Sequence, residues 1–188
     1  HQGDLPGLKE YLLELQNIGV DAVIVASLGI ASLAKQVAPK MEVHLSTQLS
    51  ITNSESMRFY KELGVDRVVL ARELNLDTIE QIIDQNVLPV EVFIHGGMCV
   101  NYSGRCTLSN EMTLRDANRG GCAQSCRWSY DLHIAGEKVN PSDVPFSMGS
   151  KDLMALGSIE AMMKIGVYSL KIEGRMKSAY YIGVRSEE

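Results

Sequence analysis

The 188-residue sequence predicts an α/β fold: a partial TIM-like (β/α) barrel with a Cys-rich insertion on its C-terminal face. Three observations carry this prediction. Short apolar, β-branched runs alternate with amphipathic helical patterns, the first four recurring about every 20–25 residues, the length of a β/α unit. A glycine closes the helical pattern before three of them: Ile18-Gly19-Val20-Asp21, Leu63-Gly64-Val65-Asp66 and Ile165-Gly166-Val167-Tyr168. No glycine-rich phosphate fingerprint follows any run, which favours a barrel over an open doubly wound sheet.

In order, Leu8, Tyr11, Leu12, Leu15 and Ile18 share a helical face, with Pro6 acceptable in its first turn. The first strand is 22–26. Ser27 is a candidate cap for a helix carrying Ile30, Leu33, Ala34 and Val37, which Pro39 ends. A strand over 41–45 follows. Asn53 starts a helix with Met57, Tyr60 and Leu63, and the third strand is 67–71. Asn75 starts a helix with Ile79, Ile82 and Ile83, and the fourth strand is 88–94. The pattern then breaks. From His95 to about Ser147 the chain is rich in Gly, Cys, Asn, Ser and Arg, with one candidate hairpin over 128–139 turning at Ala135-Gly136-Glu137. Loops this long are uncommon unless functional. The β/α pattern resumes at Ser150, with Ile159, Met162, Met163 and Ile165 on a helix and a fifth strand over 169–172. The expected organisation is barrel repeats over 1–94, a Cys-rich insertion over 95–149 and barrel continuation over 150–188. A whole barrel takes about 250 residues, so the chain reads as part of a longer protein.

Composition excludes several classes. Hydrophobic residues make up 45% and charged residues 22%, enough for a core and too ordered for a disordered tail. No apolar run reaches the roughly 18 residues a membrane span needs. The net charge of −5 argues against indiscriminate nucleic-acid binding. No signal peptide is visible, and a cytoplasmic setting is expected.

Cys99, Cys106, Cys122 and Cys126 are the only cysteines, and all lie in the insertion with spacing C-x6-C-x15-C-x3-C. Clustered thiolates suit an iron–sulfur cluster or zinc, and the spacing leaves both open, with disulfides or free thiols behind them. Gly96, Gly97, Gly104, Gly120 and Gly121 crowd them, and Arg105, Arg119 and Arg127 flank them. The other strand exits supply Ser27, Ser46-Thr47-Gln48, Arg72-Glu73, His95 and Glu173-Gly174-Arg175. In a barrel these open onto the rim that carries active sites. Ordinary roles compete: Arg67 reads as a solvated strand position, His44 as a satisfied buried histidine, and Met162 and Met163 as core filler. Trp128 reads as a packing residue, and Arg175 and Lys177 as helix-balancing charges or partners of Glu173.

The stretch from Glu91 to Ser109, EVFIHGGMCVNYSGRCTLS, resembles the signature of the peptidase U32 family. HLSTQ at 44–48, RVVLARE at 67–73, NRGGCAQSCRW at 118–128, SKDL at 150–153 and SLKIEGRMKS at 169–178 match it as well. The chain resembles the Gram-positive collagenase-like branch, which is similar to prephenate-dependent tRNA wobble-uridine hydroxylases. It departs from the pattern at Gly97, usually Ser or Ala, and at Ala123, often a second cysteine. The resemblance implies a TIM-like barrel, a [4Fe–4S] cluster on Cys99, Cys106, Cys122 and Cys126, and prephenate as co-substrate with tRNA as substrate. A homologous U32 subunit or a second copy is a further candidate partner. Arg72 and Arg175, with Lys171 behind them, suit the carboxylates of prephenate. His95 is a candidate proton carrier, and Glu173 a catalytic residue orienting Arg175. Arg115, Arg119, Arg127, Lys177 and Arg185 are candidates for RNA phosphates, and Tyr102 or Trp128 for stacking on a base. The older family label keeps a peptidase as the alternative, although no His-Glu-x-x-His or Gly-x-Ser-x-Gly motif is present. A non-catalytic module stapled by zinc is the third reading.

Overall fold

A computed structural model describes residues 2–174 and 177–186. Arg175 lies outside the described residues, as does the side chain of Arg185. Helices α1 (Leu8–Asn17), α2 (Leu28–Val37), α3 (Ser54–Glu62) and α4 (Leu76–Asp84) alternate with strands β1 (Ala22–Val25), β2 (Glu42–Leu45), β3 (Arg67–Val69) and β4 (Val90–Gly96). The insertion contributes the short helix α5 (Leu108–Thr113) and a hairpin of β5 (His133–Ile134) and β6 (Glu137–Lys138). Then come β7 (Leu153–Met154), α6 (Ile159–Lys164), β8 (Ser169–Ile172) and α7 (Ala179–Ser186).

The glycines do what their positions require. Gly19, Gly64 and Gly166 have φ of +83°, +79° and +86°. Each ends a helix by a paired turn. After α1, Val20 N–H donates to Leu15 O at 3.0 Å and Gly19 N–H to Gln16 O at 3.1 Å. Asn86, at φ +47°, ends α4 in the left-handed region, its N–H donating to Ile83 O at 2.8 Å. Asn53 and Asn75 cap α3 and α4, each Oδ1 accepting a backbone N–H at 2.9 Å. Ser27 occupies the cap position of α2, but its hydroxyl makes no capping bond. Pro6 precedes α1 rather than entering its first turn, because Gly7 at φ +77° starts the helix.

β1, β2, β3, β4 and β8 pair in that order, all parallel, and curl into a half-barrel. The order runs one way without reversal, as in a barrel and unlike a doubly wound sheet. β7 adds an antiparallel bridge at the exit of β4, pairing His95 with Met154 and Gly96 with Leu153. The chain thus resumes at 150–153 with a cross-brace, and the fifth barrel strand is β8. The hairpin turns on Ala135 (φ +51°) and Gly136 (φ +87°), so its loop is two residues long.

Strand alternation sends Val43, Leu45, Val68, Leu70, Val90 and Val92 outward, where they bury against Leu12, Ala31, Ala34, Met57, Ile79 and Ile82 of the helices. Tyr11 and Ile18 lie on the flank of α1 and stay exposed. Met162 is buried but Met163 is 69% exposed, because neighbours on a six-residue helix cannot both face the core.

The inner face is charged. His44 is buried, with Nε2 2.7 Å from Glu42 Oε2. Arg67 is not a solvated position: it lies 3.7 Å from both Glu42 and Glu91 and stacks on Tyr168, 4.5 Å from the ring centroid. Alternation explains this, since Val68 faces outward and its neighbour must face in. Lys171 Nζ donates to Glu91 Oε1 at 2.7 Å. Burial pushes the Glu91 carboxyl up, but Lys171, Ser169 and Arg67 more than offset it and hold it below its ordinary value.

Candidate functional site

The strand exits are tied to the cysteine loops by backbone contacts at close range. After β2, Ser46 Oγ accepts Gln48 N–H at 3.2 Å and starts a tight turn. Ser50 Oγ, at the end of that turn, donates to Ser103 O at 2.5 Å. After β3, Glu73 accepts both the N–H of Ser103 (2.5 Å) and its hydroxyl (2.8 Å). Gly104 then passes so close to the β2 exit that a Cβ would stand 2.0 Å from Gln48 O, and its φ is +78°. Only glycine fits there.

Glu173, at the exit of β8, joins the two cysteine-bearing arms. Its Oε2 accepts Gly97 N–H at 2.7 Å and Arg72 Nη1–H at 3.0 Å. Its Oε1 accepts the Gln124 side-chain amide at 3.4 Å. Gly97 lies two residues before Cys99, and Gln124 lies between Cys122 and Cys126. Arg72 also donates to Gly97 O and lies over the Phe93 ring, 3.9 Å from its centroid. Gly96, at φ +138°, lets Glu173 approach, since a Cβ there would be 2.5 Å from Glu173 Cβ.

All four cysteines line one cavity of about 430 Å³ at these exits, with Arg72, Phe93, Lys171 and Glu173 among its walls. All four are free thiols. Desolvation in the cavity raises the Cys99 thiol, and the sulfurs of Cys122 and Cys106 add to this, while Arg72 opposes it. Cys126 is raised in the same way by burial and by Cys122, with Arg127 opposing, and then by Cys106. Among the described residues no group of three or more His, Cys, Asp or Glu side chains is placed so that it could hold a metal ion. Four thiols on one glycine-lined cavity are a donor set of the kind that iron–sulfur clusters and zinc both use.

The remaining predicted residues divide. Arg72, Lys171 and Glu173 line the cavity. Glu173 is spent on Arg72 and the loop amides. His95 is buried at the end of β4 and packs on Tyr181, with ring centroids 5.8 Å apart; it does not line the cavity. An irregularity between Phe93 and His95 breaks the strand alternation and accounts for this. Arg127 and Lys177 both engage Asp152, Lys177 at 3.2 Å, so the positive charge of each is already partnered and Lys177 does not pair with Glu173. Tyr102 is 68% exposed, Trp128 is half-exposed, and Arg115 and Arg119 are exposed. Sequence reasoning missed Gln124, Ser103 and Asp152. Only Gln124 carried a signal, its place between two cysteines.

Fold and site together define a barrel-type protein with a cysteine-ringed cavity at its strand exits. The profile of peptidase family U32 matches residues 1–185, and the chain belongs to that family. It is 49% identical over 187 residues to the tRNA hydroxylation protein P1 of Bacillus subtilis, covering 97% of this chain and 44% of that protein. It is 40% identical over 183 residues to the 23S rRNA 5-hydroxycytidine C2501 synthase of Escherichia coli, covering 97% and 27%. It is 35% identical over 191 residues to a collagenase of Porphyromonas gingivalis, covering 95% and 45%. The chain spans less than half the length of these curated relatives.

Proposed function

We propose that this chain forms the thiol-bearing part of an RNA hydroxylase that forms 5-hydroxyuridine at the tRNA wobble position in a prephenate-dependent reaction. The observation that carries the reading is the gathering of four free cysteines around one cavity at the barrel exits. The names of the hydroxylating relatives support it. Cys99, Cys106, Cys122 and Cys126 would hold a [4Fe–4S] cluster, which supplies electron and oxygen chemistry when bound.

The chain's own residues orient the substrates. Phe93 offers a flat apolar wall beneath Arg72. Lys171 and Arg72 both line this cavity, each already ion-paired, with Glu91 and Glu173, so a dicarboxylate such as prephenate would share these cations with the acids that hold them. Glu173 holds Arg72 in place and anchors both cysteine arms.

The collagenase relative offers a peptidase as the second reading. Among the described residues no histidine lines the cavity, so the cysteines have no imidazole base beside them. Anaerobic purification of the full-length protein tests the proposal. Iron, sulfide and absorbance near ~400 nm are expected, together with loss of wobble 5-hydroxyuridine from tRNA when the gene is deleted. A colourless protein with one zinc, or gelatin cleavage that survives Cys99→Ala, overturns it.

A further inference from the structure

We propose that Gln124 is a positioning residue of the thiol centre: its side-chain bond to Glu173 holds a strained left-handed turn, and that turn keeps the Gln124 N–H on the Cys122 sulfur. The inference rests on the reading of the cysteines as metal ligands above.

Gln124 N–H donates to Cys122 Sγ at 3.3 Å. The residue has φ +56° and ψ 35°, a conformation that any side chain with a Cβ finds strained. Turning the 123–124 peptide over would return Gln124 to negative φ and would carry its N–H away from the sulfur. Backbone strain therefore works against the bond to sulfur. The chain is fastened on both sides of this peptide. Ala123 N–H donates to Ser109 Oγ at 2.9 Å, and Arg127 N–H donates to Gln124 O at 2.9 Å. The 123–124 peptide turns between these fixed points, and the side chain restrains it. Gln124 Nε2 donates to Glu173 Oε1 at 3.4 Å, and the other oxygen of Glu173 is fixed by Gly97 N–H and Arg72. Glycine adopts this turn without strain, so a glutamine here is explained by what its side chain holds.

A sulfur that accepts an N–H gives less electron density to a metal, and the bond strengthens as negative charge on the centre grows. On an iron–sulfur cluster the bond therefore favours the reduced state and raises the potential. On any thiolate-bound metal it moves the sulfur-to-metal charge-transfer band to higher energy.

The test compares Gln124→Met and Gln124→Gly in the full-length protein, reconstituted anaerobically with iron and sulfide. Methionine keeps the bulk and the strained φ but cannot donate to Glu173. Glycine removes the side chain and the strain together. In a redox titration followed by electron paramagnetic resonance, Gln124→Met should lower the midpoint by about 59 mV, a tenfold shift in a one-electron equilibrium and the order of effect of one charge-assisted hydrogen bond. Gln124→Gly should lower it by less than half as much. Iron per protein should match wild type in both. The coupling of an exchangeable proton to the reduced cluster should weaken in Gln124→Met and persist in Gln124→Gly. A Gln124→Met protein with the wild-type midpoint overturns the proposal. A larger shift in Gln124→Gly than in Gln124→Met also overturns it, because the side chain then acts by packing or shielding. Loss of iron from either variant does the same, because the residue then holds the arm rather than directing one donor. A wild-type protein that binds zinc in place of iron overturns the hydroxylase reading alone. The comparison then runs on the cobalt(II) protein, where an unmoved charge-transfer band in Gln124→Met overturns the proposal and a shift to lower energy, absent from Gln124→Gly, supports it.

Discussion

Glu173 and Gly104 set the position of the cysteine loops by opposite means, one by attraction and one by having no side chain. Glu173→Gln can keep an oxygen where Oε2 accepts from Gly97 N–H and Arg72, but its NH₂ then faces the Gln124 amide donor and the negative charge opposite Arg72 is lost. Stability should fall by about 1–3 kcal/mol in urea denaturation, the cost of leaving part-buried partners unpaired. Iron loading should fall with it, read as iron per protein after anaerobic reconstitution. Gly104→Ala meets both a left-handed φ and a Cβ position 2.0 Å from Gln48 O. A loss of roughly 1–3 kcal/mol is expected, with faster proteolysis within 99–106 as the local readout. Gly19→Ala, at φ +83° with open space around its Cβ position, should cost only about 1 kcal/mol.

At the scale of elements, helix ends and outward strand positions were legible because local chemistry determines them. Gly19, Gly64 and Gly166 had one conformational job, and Asn53 and Asn75 had another. The inner face was not legible. Arg67 reads as exposed unless it is known that β2 and β4 flank it with Glu42 and Glu91. His95 reads as a strand-exit residue until the register break in β4 is seen. In the site, the shared loop of the cysteines was visible in their spacing. The partners of Glu173 were not, since Arg72 lies 101 positions away. The inner-face network has a pH signature. Glu91's carboxyl is held below its ordinary value of 4.5, so its contribution is present above that value and is lost as pH falls through the lowered one. Urea denaturation between pH 7 and 3 should show stability falling below about pH 4.5, and Glu91→Gln should flatten that fall.

At the scale of the molecule, five parallel strands leave β1 and β8 as the two sides of an unclosed cup. Leu170 on β8 and Ile24 on β1 remain partly exposed. In a longer chain or an assembly these sides are where further strands or a partner subunit would attach, and unpaired strand edges are prone to such pairing. Protection of the β1 and β8 amides in hydrogen exchange should therefore be higher in the full-length protein than in residues 1–188 alone, while β2 and β3 should differ little.

The bond from Gly97 to Glu173 crosses 76 positions, and its direction along the chain matters. A ribosome delivers all four cysteines before it delivers the carboxylate that fastens their loops. Cys126 precedes Glu173 by 47 positions, so at about 5–20 residues per second that interval is roughly 2–9 s. During it Ser50 and Glu73 can already hold Ser103, but the tie from Glu173 to Gly97 and Gln124 is missing, so whatever loads iron meets either a half-fastened pair of arms before Glu173 arrives or a fully fastened one afterwards.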